Sequence, residues 1–226
     1  IGEFLKIESH DLIKCASCVR LKTIMAINYY SPKKELEIAE NIFKTNIDGL
    51  YYIKYKKFID DRGFFSQILE PERIKAAGIN PNFQIKQVNL SVSRSKIARG
   101  IHTEGWNKLI TIVEGHAFCA LADVRNDSPT YKNVEYFDFI ADPNNEWGES
   151  LYITKKIGNS VCAVEGPMHY LYGVDMLYHE RDKKDDLAVS IFDPDLNIQW
   201  PFPKEELIIS QRDIDSITLK ELYQEN

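Results

Sequence analysis

Residues 109–124 read LITIVEGHAFCALADV. Two apolar, β-branched runs, 109–113 and 116–124, flank Glu114-Gly115, a pair suited to a tight turn. In the second run Phe118, Ala120, Ala122 and Val124 alternate with Cys119, Leu121 and Asp123, the two-residue period of a strand. The expectation is a β-hairpin. Upstream, residues 84–93 (QIKQVNLSVS) set Ile85, Gln87, Asn89, Ser91 and Ser93 in one phase. Further strand-like runs occupy 151–153, 159–164, 169–178 and 187–192. Many short strands with few helices between residues 49 and 190 predict a mostly β sandwich or barrel of the jelly-roll type.

Helices are expected only at the periphery. Ser31 and Pro32 form an N-cap and a first-turn proline, followed by Leu36, Ile38, Ala39 and Phe43 on a partial stripe, which predicts a helix over 31–44. A second runs from Glu70 to Ala77 and stops at Gly78. The tail has Ser210 before Asp213 and a helical pattern from Ile214 to Tyr223. The organisation is thus a leader and short helix over residues 1–46, then one β-rich domain over 47–226 with a C-terminal helix.

The 226 residues carry a net charge of −6, and 44% of them are hydrophobic. An acidic chain argues against a nucleic-acid partner, yet a few local arginines can hold one pyrophosphate. No apolar run approaches a membrane span, and Ile1 to Thr23 lacks a signal-peptide core, so a cytoplasmic location is expected. Cys119 and Cys162 fall in strand-like runs and read as buried thiols. Cys15 and Cys18, with His10 nearby, have no second ligand pair at finger spacing and read as coincidence. Met25 is a candidate natural start.

Neither phosphate-loop motif nor a Gly-x-Ser-x-Gly elbow is present. In Arg99-Gly100-Ile101-His102-Thr103-Glu104, residues 100, 102 and 104 point one way on a strand, and His102 is the only imidazole. That is too few clustered ligands for a catalytic metal, so none is expected. Lys108, at the start of an otherwise apolar strand, calls for a functional reason. His116, His169 and His179 receive no role, and the charge run Glu180 to Asp186 reads as a solvated turn.

In order along the chain, Asp61-Arg62-Gly63-Phe64-Phe65, Gln87-Val88-Asn89-Leu90-Ser91, Arg99-Gly100-Ile101-His102, Lys108-Leu109-Ile110, Asp123 to Thr130, Asp193 to Pro201 and Ser210-Gln211-Arg212-Asp213 resemble the dTDP-4-dehydrorhamnose 3,5-epimerases. The resemblance covers roughly residues 48–213 and implies a cupin-type double-stranded β-helix. It also implies inversion of C3, C5 or both in a nucleotide-linked 4-keto-6-deoxy sugar, with no redox cofactor. By the same resemblance His102 is the base, Asp193 its carboxylate partner, Lys108 the cation near the enolate and Tyr172 the opposing proton donor. Arg62, Gln87, Asn89 and Arg99 would contact the nucleotide diphosphate or sugar, and Tyr178 would be a second aromatic wall. The family is usually dimeric, with a strand from one chain reaching the other's site, and here the Arg62 segment is the candidate for a homodimer. Two positions depart from the pattern. Asn159 stands where a substrate-facing histidine is usual, and Gln67 replaces an acidic residue. The number of centres inverted therefore stays open, as do a 3,4-ketoisomerase and a non-catalytic sugar-nucleotide-binding barrel.

Overall fold

The structure, a computed structural model, describes residues 27–224. The Cys15–Cys18 pair, His10 and Met25 lie outside the described residues. Among the described residues, twelve strands make one connected, mostly antiparallel assembly that does not close on itself. They are β1 (Glu37–Ala39), β2 (Ile42–Lys44), β3 (Leu50–Asp60), β4 (Gly63–Ser66), β5 (Gln87–Ser93), β6 (Ile97–Thr103), β7 (Lys108–Ala122), β8 (Val134–Ile140), β9 (Trp147–Ile153), β10 (Gly158–Val174), β11 (Leu187–Ala188) and β12 (Ile208–Ile209). The main path runs β1-β2-β3-β9-β7-β10-β6-β11, with β4 on β3, β5 on β10, β8 on β7 and β12 on β6. The mostly β, cupin-type expectation holds.

The stretch 109–124 is no hairpin. Residues 109–122 lie within the single strand β7, which pairs β10 along nearly its whole length. Gly115 bends it at φ +83°, where an added Cβ would sit 2.7 Å from the Pro167 carbonyl oxygen and 2.8 Å from the Met168 Cα. The side-chain phase slips there. Ile110 and Ile112 before the bend, and Ala117, Cys119 and Leu121 after it, all face the same core cluster. β10 makes the matching slip, from Val161 and Ala163 to Met168 and Tyr170, with irregular register between Ala163 and Tyr170. One extra residue in a strand moves every later side chain to the opposite face, so these bulges keep two long strands facing one core. Each half then meets its own neighbours. β9 and β8 flank successive halves of β7, while β6 and β5 flank successive halves of β10.

The helix expected over 31–44 is absent. A 3₁₀ turn, Lys34–Leu36, leads into the β1–β2 hairpin, with Ala39 opposite Ile42 and Asn41 at φ 58°. Ile42 and Phe43 pair with Ile53 and Tyr52 of β3 and are buried there, and that pairing outweighs the weak helical stripe. The second helix is present as α1 (Pro71–Ala76), with Gly78 at φ 70° after it. The tail forms two short helices rather than one: α2 (Gln211–Ile214), capped by Ser210, and α3 (Leu219–Tyr223), capped by a Thr218–Glu221 box. The first packs against β6, and this brings Asp213 to the strand that carries His102.

Candidate active site

β6 sets the geometry. Gly100 adopts φ +120°, and a Cβ there would lie 2.5 Å from the Ser160 Cβ and 2.7 Å from the Asn159 carbonyl oxygen. Glycine therefore lets β6 press onto β10. Two residues on, His102 sits opposite Asn159 of β10 on one side and Ala188 of β11 on the other. Its imidazole is about one-quarter exposed, and Nε2 lies 2.7 Å from Oδ1 of Asp213, the third residue of α2.

Asp213 is buried, and its Oδ2 accepts the Gly100 N–H at 3.4 Å. Burial pushes its carboxyl up, but the bond and charge of His102, with help from Ser210 and Gly100, hold it below the usual carboxylate range. An ionised carboxylate only accepts, so Nε2 carries the hydrogen and Nδ1 is left as the basic nitrogen.

The expected partner, Asp193, is occupied elsewhere. It is 2% exposed; its Oδ1 accepts the N–H groups of Asp195 at 2.9 Å and Leu196 at 3.0 Å, and its Oδ2 accepts that of Leu219 at 2.7 Å. Those three bonds tie the Asp-Pro-Asp turn to the start of α3. The pairing of Asp193 with His102 is thus corrected to Asp213. The signal lay in Ser210-Gln211-Arg212-Asp213, where the capping serine fixes Asp213 in the first helical turn facing β6.

Lys108 opens β7, is 6% exposed, and forms an ion pair with Glu104, just past the end of β6. Its ammonium lies 5.5 Å from the centre of the Tyr172 ring. Tyr172, on β10, is opposite Ile110 of β7 and Asn89 of β5. Burial raises its phenol pKa, and the Glu104 charge raises it further against the opposing Arg181 and Arg99. Tyr170 meets Tyr172 edge-on at 5.5 Å and shares a hydrogen bond of 3.1 Å with the Asn159 amide. Arg99 Nε donates to Ser93 at 3.1 Å. Gln87 donates to Asn89 at 2.6 Å and accepts the Tyr178 N–H at 2.9 Å.

His102, Lys108, Tyr172, Asn159, Arg99, Gln87, Asn89 and Tyr178 therefore belong to one connected set on β5, β6, β7, β10 and the segment after β10. Arg62 does not join it. Arg62 is exposed at the tip of the β3–β4 hairpin and pairs with Asp60 at 2.5 Å. Gln67 lines a separate cavity of about 560 Å³ with Lys54, Arg73 and Trp147.

The run 180–186 is not merely a solvated turn. The side chains of Arg181 and Asp186 are only 12% and 13% exposed, and Arg181 stacks over Tyr178 at 4.2 Å and Trp106 at 5.1 Å. Sequence reasoning missed Asp213, Glu104 and Arg181. Alternating charge signs hid the last, because composition cannot tell a folded-over ion-pair cluster from a wet loop.

The family model for dTDP-4-dehydrorhamnose 3,5-epimerase matches residues 44–221. A Streptomyces griseus protein named dTDP-4-dehydrorhamnose 3,5-epimerase is 30% identical over 74% of this chain and 81% of its own length. Among solved structures, a 4-keto-6-deoxy sugar epimerase from the novobiocin gene cluster of Streptomyces spheroides superposes with a TM-score of 0.72 at 29% identity, covering 81% of this chain and 89% of that one. A 3'-monoepimerase from Streptomyces bikiniensis, in complex with dTDP-quinovose, gives 0.70 at 27% identity over 80% and 89%. The cupin-type sheet carries a half-buried histidine bonded to a buried aspartate, and the matches over most of its length show that the chain belongs to the dTDP-4-dehydrorhamnose 3,5-epimerase family, whose members are isomerases.

Proposed function

We propose that this chain epimerises a nucleotide-linked 4-keto-6-deoxy sugar, with His102 as the base at a carbon beside the C4 ketone. The C–H bond breaks, its proton passes to the imidazole, and its electron pair moves onto the C4 oxygen as an enolate. The Lys108 ammonium balances that charge. A fixed cation in a site shielded from water acts here without reorganising. The electron pair then returns from oxygen to carbon, which takes the phenol proton of Tyr172 on its opposite face; carbon ends with inverted configuration and no change in oxidation state, and the imidazolium and phenolate reset by exchanging protons with solvent. Asp213 stabilises the imidazolium and fixes its tautomer, as the carboxylate does in serine-protease triads. The 2.7 Å contact between His102 and Asp213 carries this reading.

Arg99, Gln87, Asn89, Tyr178 and Asn159 would hold the sugar nucleotide around that centre. Arg62 would reach the site of a second copy in a homodimer. Its hairpin displays Phe58, Phe64 and Phe65, which are 57%, 47% and 65% exposed, and an apolar surface of that kind favours burial against a partner. No described helix is long and apolar enough to cross a membrane, and we place the enzyme in the cytoplasm, where the buried Cys119 and Cys162 thiols stay reduced.

The test is solvent deuterium incorporation at C3 and C5 of dTDP-4-keto-6-deoxyglucose. Wild type should exchange at least one centre, and His102→Ala should lose about 10²- to 10⁴-fold in rate. Exchange at C3 alone would identify a mono-epimerase. Binding of the nucleotide sugar with no exchange at either carbon contradicts the proposal and leaves a binding barrel.

A further inference from the structure

The mechanism above leaves one buried charge in the site without a task. Glu104 has an 11% exposed side chain and sits between two cations. Lys108 contacts one of its oxygens, and Nη1 of Arg181 lies 3.8 Å from the other. Its backbone is fixed as well, since its carbonyl accepts the Lys156 N–H at 2.8 Å. From Arg181 the chain of charges continues to Asp186 at 3.1 Å, and from Asp186 to Arg212 at 2.9 Å. Arg212 is the residue before Asp213. One chain of alternating charges therefore runs from the lysine of the site, across the segment 178–186, to the helix that carries the partner of His102.

We propose that Glu104 is a positioning residue that holds the Lys108 ammonium in place and, through Arg181, fastens the 178–186 segment over the site. This rests on the epimerase reading above. An ammonium removed from water needs a counter-anion at hand, and a buried carboxylate needs the same in return. Glu104 lets Lys108 stand charged and oriented before substrate arrives, which is the condition for stabilising an enolate without rearrangement. Burial pushes the Glu104 carboxyl up, yet Lys108, with smaller help from His102 and Trp106, outweighs burial and holds it below the usual carboxylate range, so the anion is present through neutral pH.

The same anion acts on Tyr172. The groups facing that phenol are Lys108 from β7, Arg99 from β6, Arg181 and Tyr178 from the covering segment, and Glu104. Among them Glu104 is the main charge keeping the phenol protonated; Arg181 and Arg99 oppose it. A proton donor must hold its proton, so removing the Glu104 charge should narrow the active pH range from the basic side.

Glu104→Gln keeps an oxygen for Lys108 and removes the charge, whereas Glu104→Asp keeps the charge. With dTDP-4-keto-6-deoxyglucose, Glu104→Gln should lower kcat by about 10- to 100-fold, as small misplacements of catalytic groups do, and leave KM within about threefold. Its basic limb in kcat against pH should move to lower pH, and Glu104→Asp should restore that limb. ¹³Cζ-tyrosine NMR without substrate, assigned with Tyr172→Phe, should show Tyr172 ionising at lower pH in Glu104→Gln than in wild type. An unmoved basic limb and an unmoved Tyr172 titration would overturn the proposal, even if thermal stability falls. Wild type that never exchanges deuterium would instead remove the epimerase reading, and the NMR titration would still decide whether Glu104 governs Tyr172.

Discussion

Two buried aspartates near the C-terminal helices meet different partners. Asp193 accepts three backbone N–H groups and so behaves as a structural cap, while Asp213 accepts from an imidazole that can gain and lose charge. Asp213 and Asp123 are both held below the usual carboxylate range: burial raises each, His102 outweighs it for the first, and Arg125, Ser128 and Thr130 outweigh it for the second. Carboxyls depressed in the folded state stabilise it fully above their unfolded value, about 3.9, and lose that contribution as pH falls through the lower folded value. Urea midpoints measured from pH 6 downward should hold level and then drop below about pH 4, with a shallower drop in Asp213→Asn. An equal drop in that variant would deny the His102–Asp213 coupling. At this scale the sequence singled out His102, because it stands alone in an arginine-glycine strand. It could not tell which of two distant aspartates reaches it, since that depends on how the tail folds back across 111 residues.

Among elements, the two long strands β7 and β10 organise the sheet, and the bends within them decide which faces meet. Gly115 occupies φ +83° against the backbone of residues 167–168. Gly115→Ala should destabilise the protein by about 1–3 kcal/mol, read from a denaturant midpoint, because both φ and space forbid a Cβ. A midpoint equal to wild type would mean that the bend is not a fixed feature. Glu114-Gly115 is a sound turn signal locally, yet here it marks a bulge, because Ala163 to His169 of β10 slips in step with it. Period-2 alternation identified these residues as strand. It carried no information on whether the chain reverses or bends. The 31–44 segment failed for a related reason: its helical stripe was weak, and burial of Ile42 and Phe43 against β3 is a long-range gain invisible in a local window.

For the whole molecule, the site is assembled from residues that span β5 to α2, whereas Arg62 pairs with Asp60 on a hairpin whose phenylalanines are exposed. If Arg62 serves a neighbouring copy, complementation follows. Arg62→Ala and His102→Ala homodimers should each be nearly inactive, and their mixture after subunit exchange should recover roughly a quarter of wild-type activity, from hybrids with one intact site. A mixture no more active than the sum of its parents would place Arg62 in its own chain's chemistry or outside it. The overall architecture was legible in advance, because seven short strand-like runs with few helices between them leave few alternatives to a jelly roll. The covering segment 178–186 was not, because its stability comes from ion pairs and stacking with Glu104, Trp106 and Arg212 that no neighbouring residue announces.

If His102 moves the proton with Asp213 while Asp193 only holds the fold, replacing each aspartate should have opposite consequences. The most direct test is the initial rate of deuterium incorporation, per folded molecule, in Asp213→Asn and Asp193→Asn under one set of conditions. Asp213→Asn should lose on the order of 10²- to 10⁴-fold with substrate binding retained, as loss of the orienting carboxylate does in related dyads. Asp193→Asn should exchange within about threefold of wild type but unfold at lower urea, its three N–H bonds weakened. The reverse ranking of the two rates would make Asp193, not Asp213, the carboxylate that serves His102.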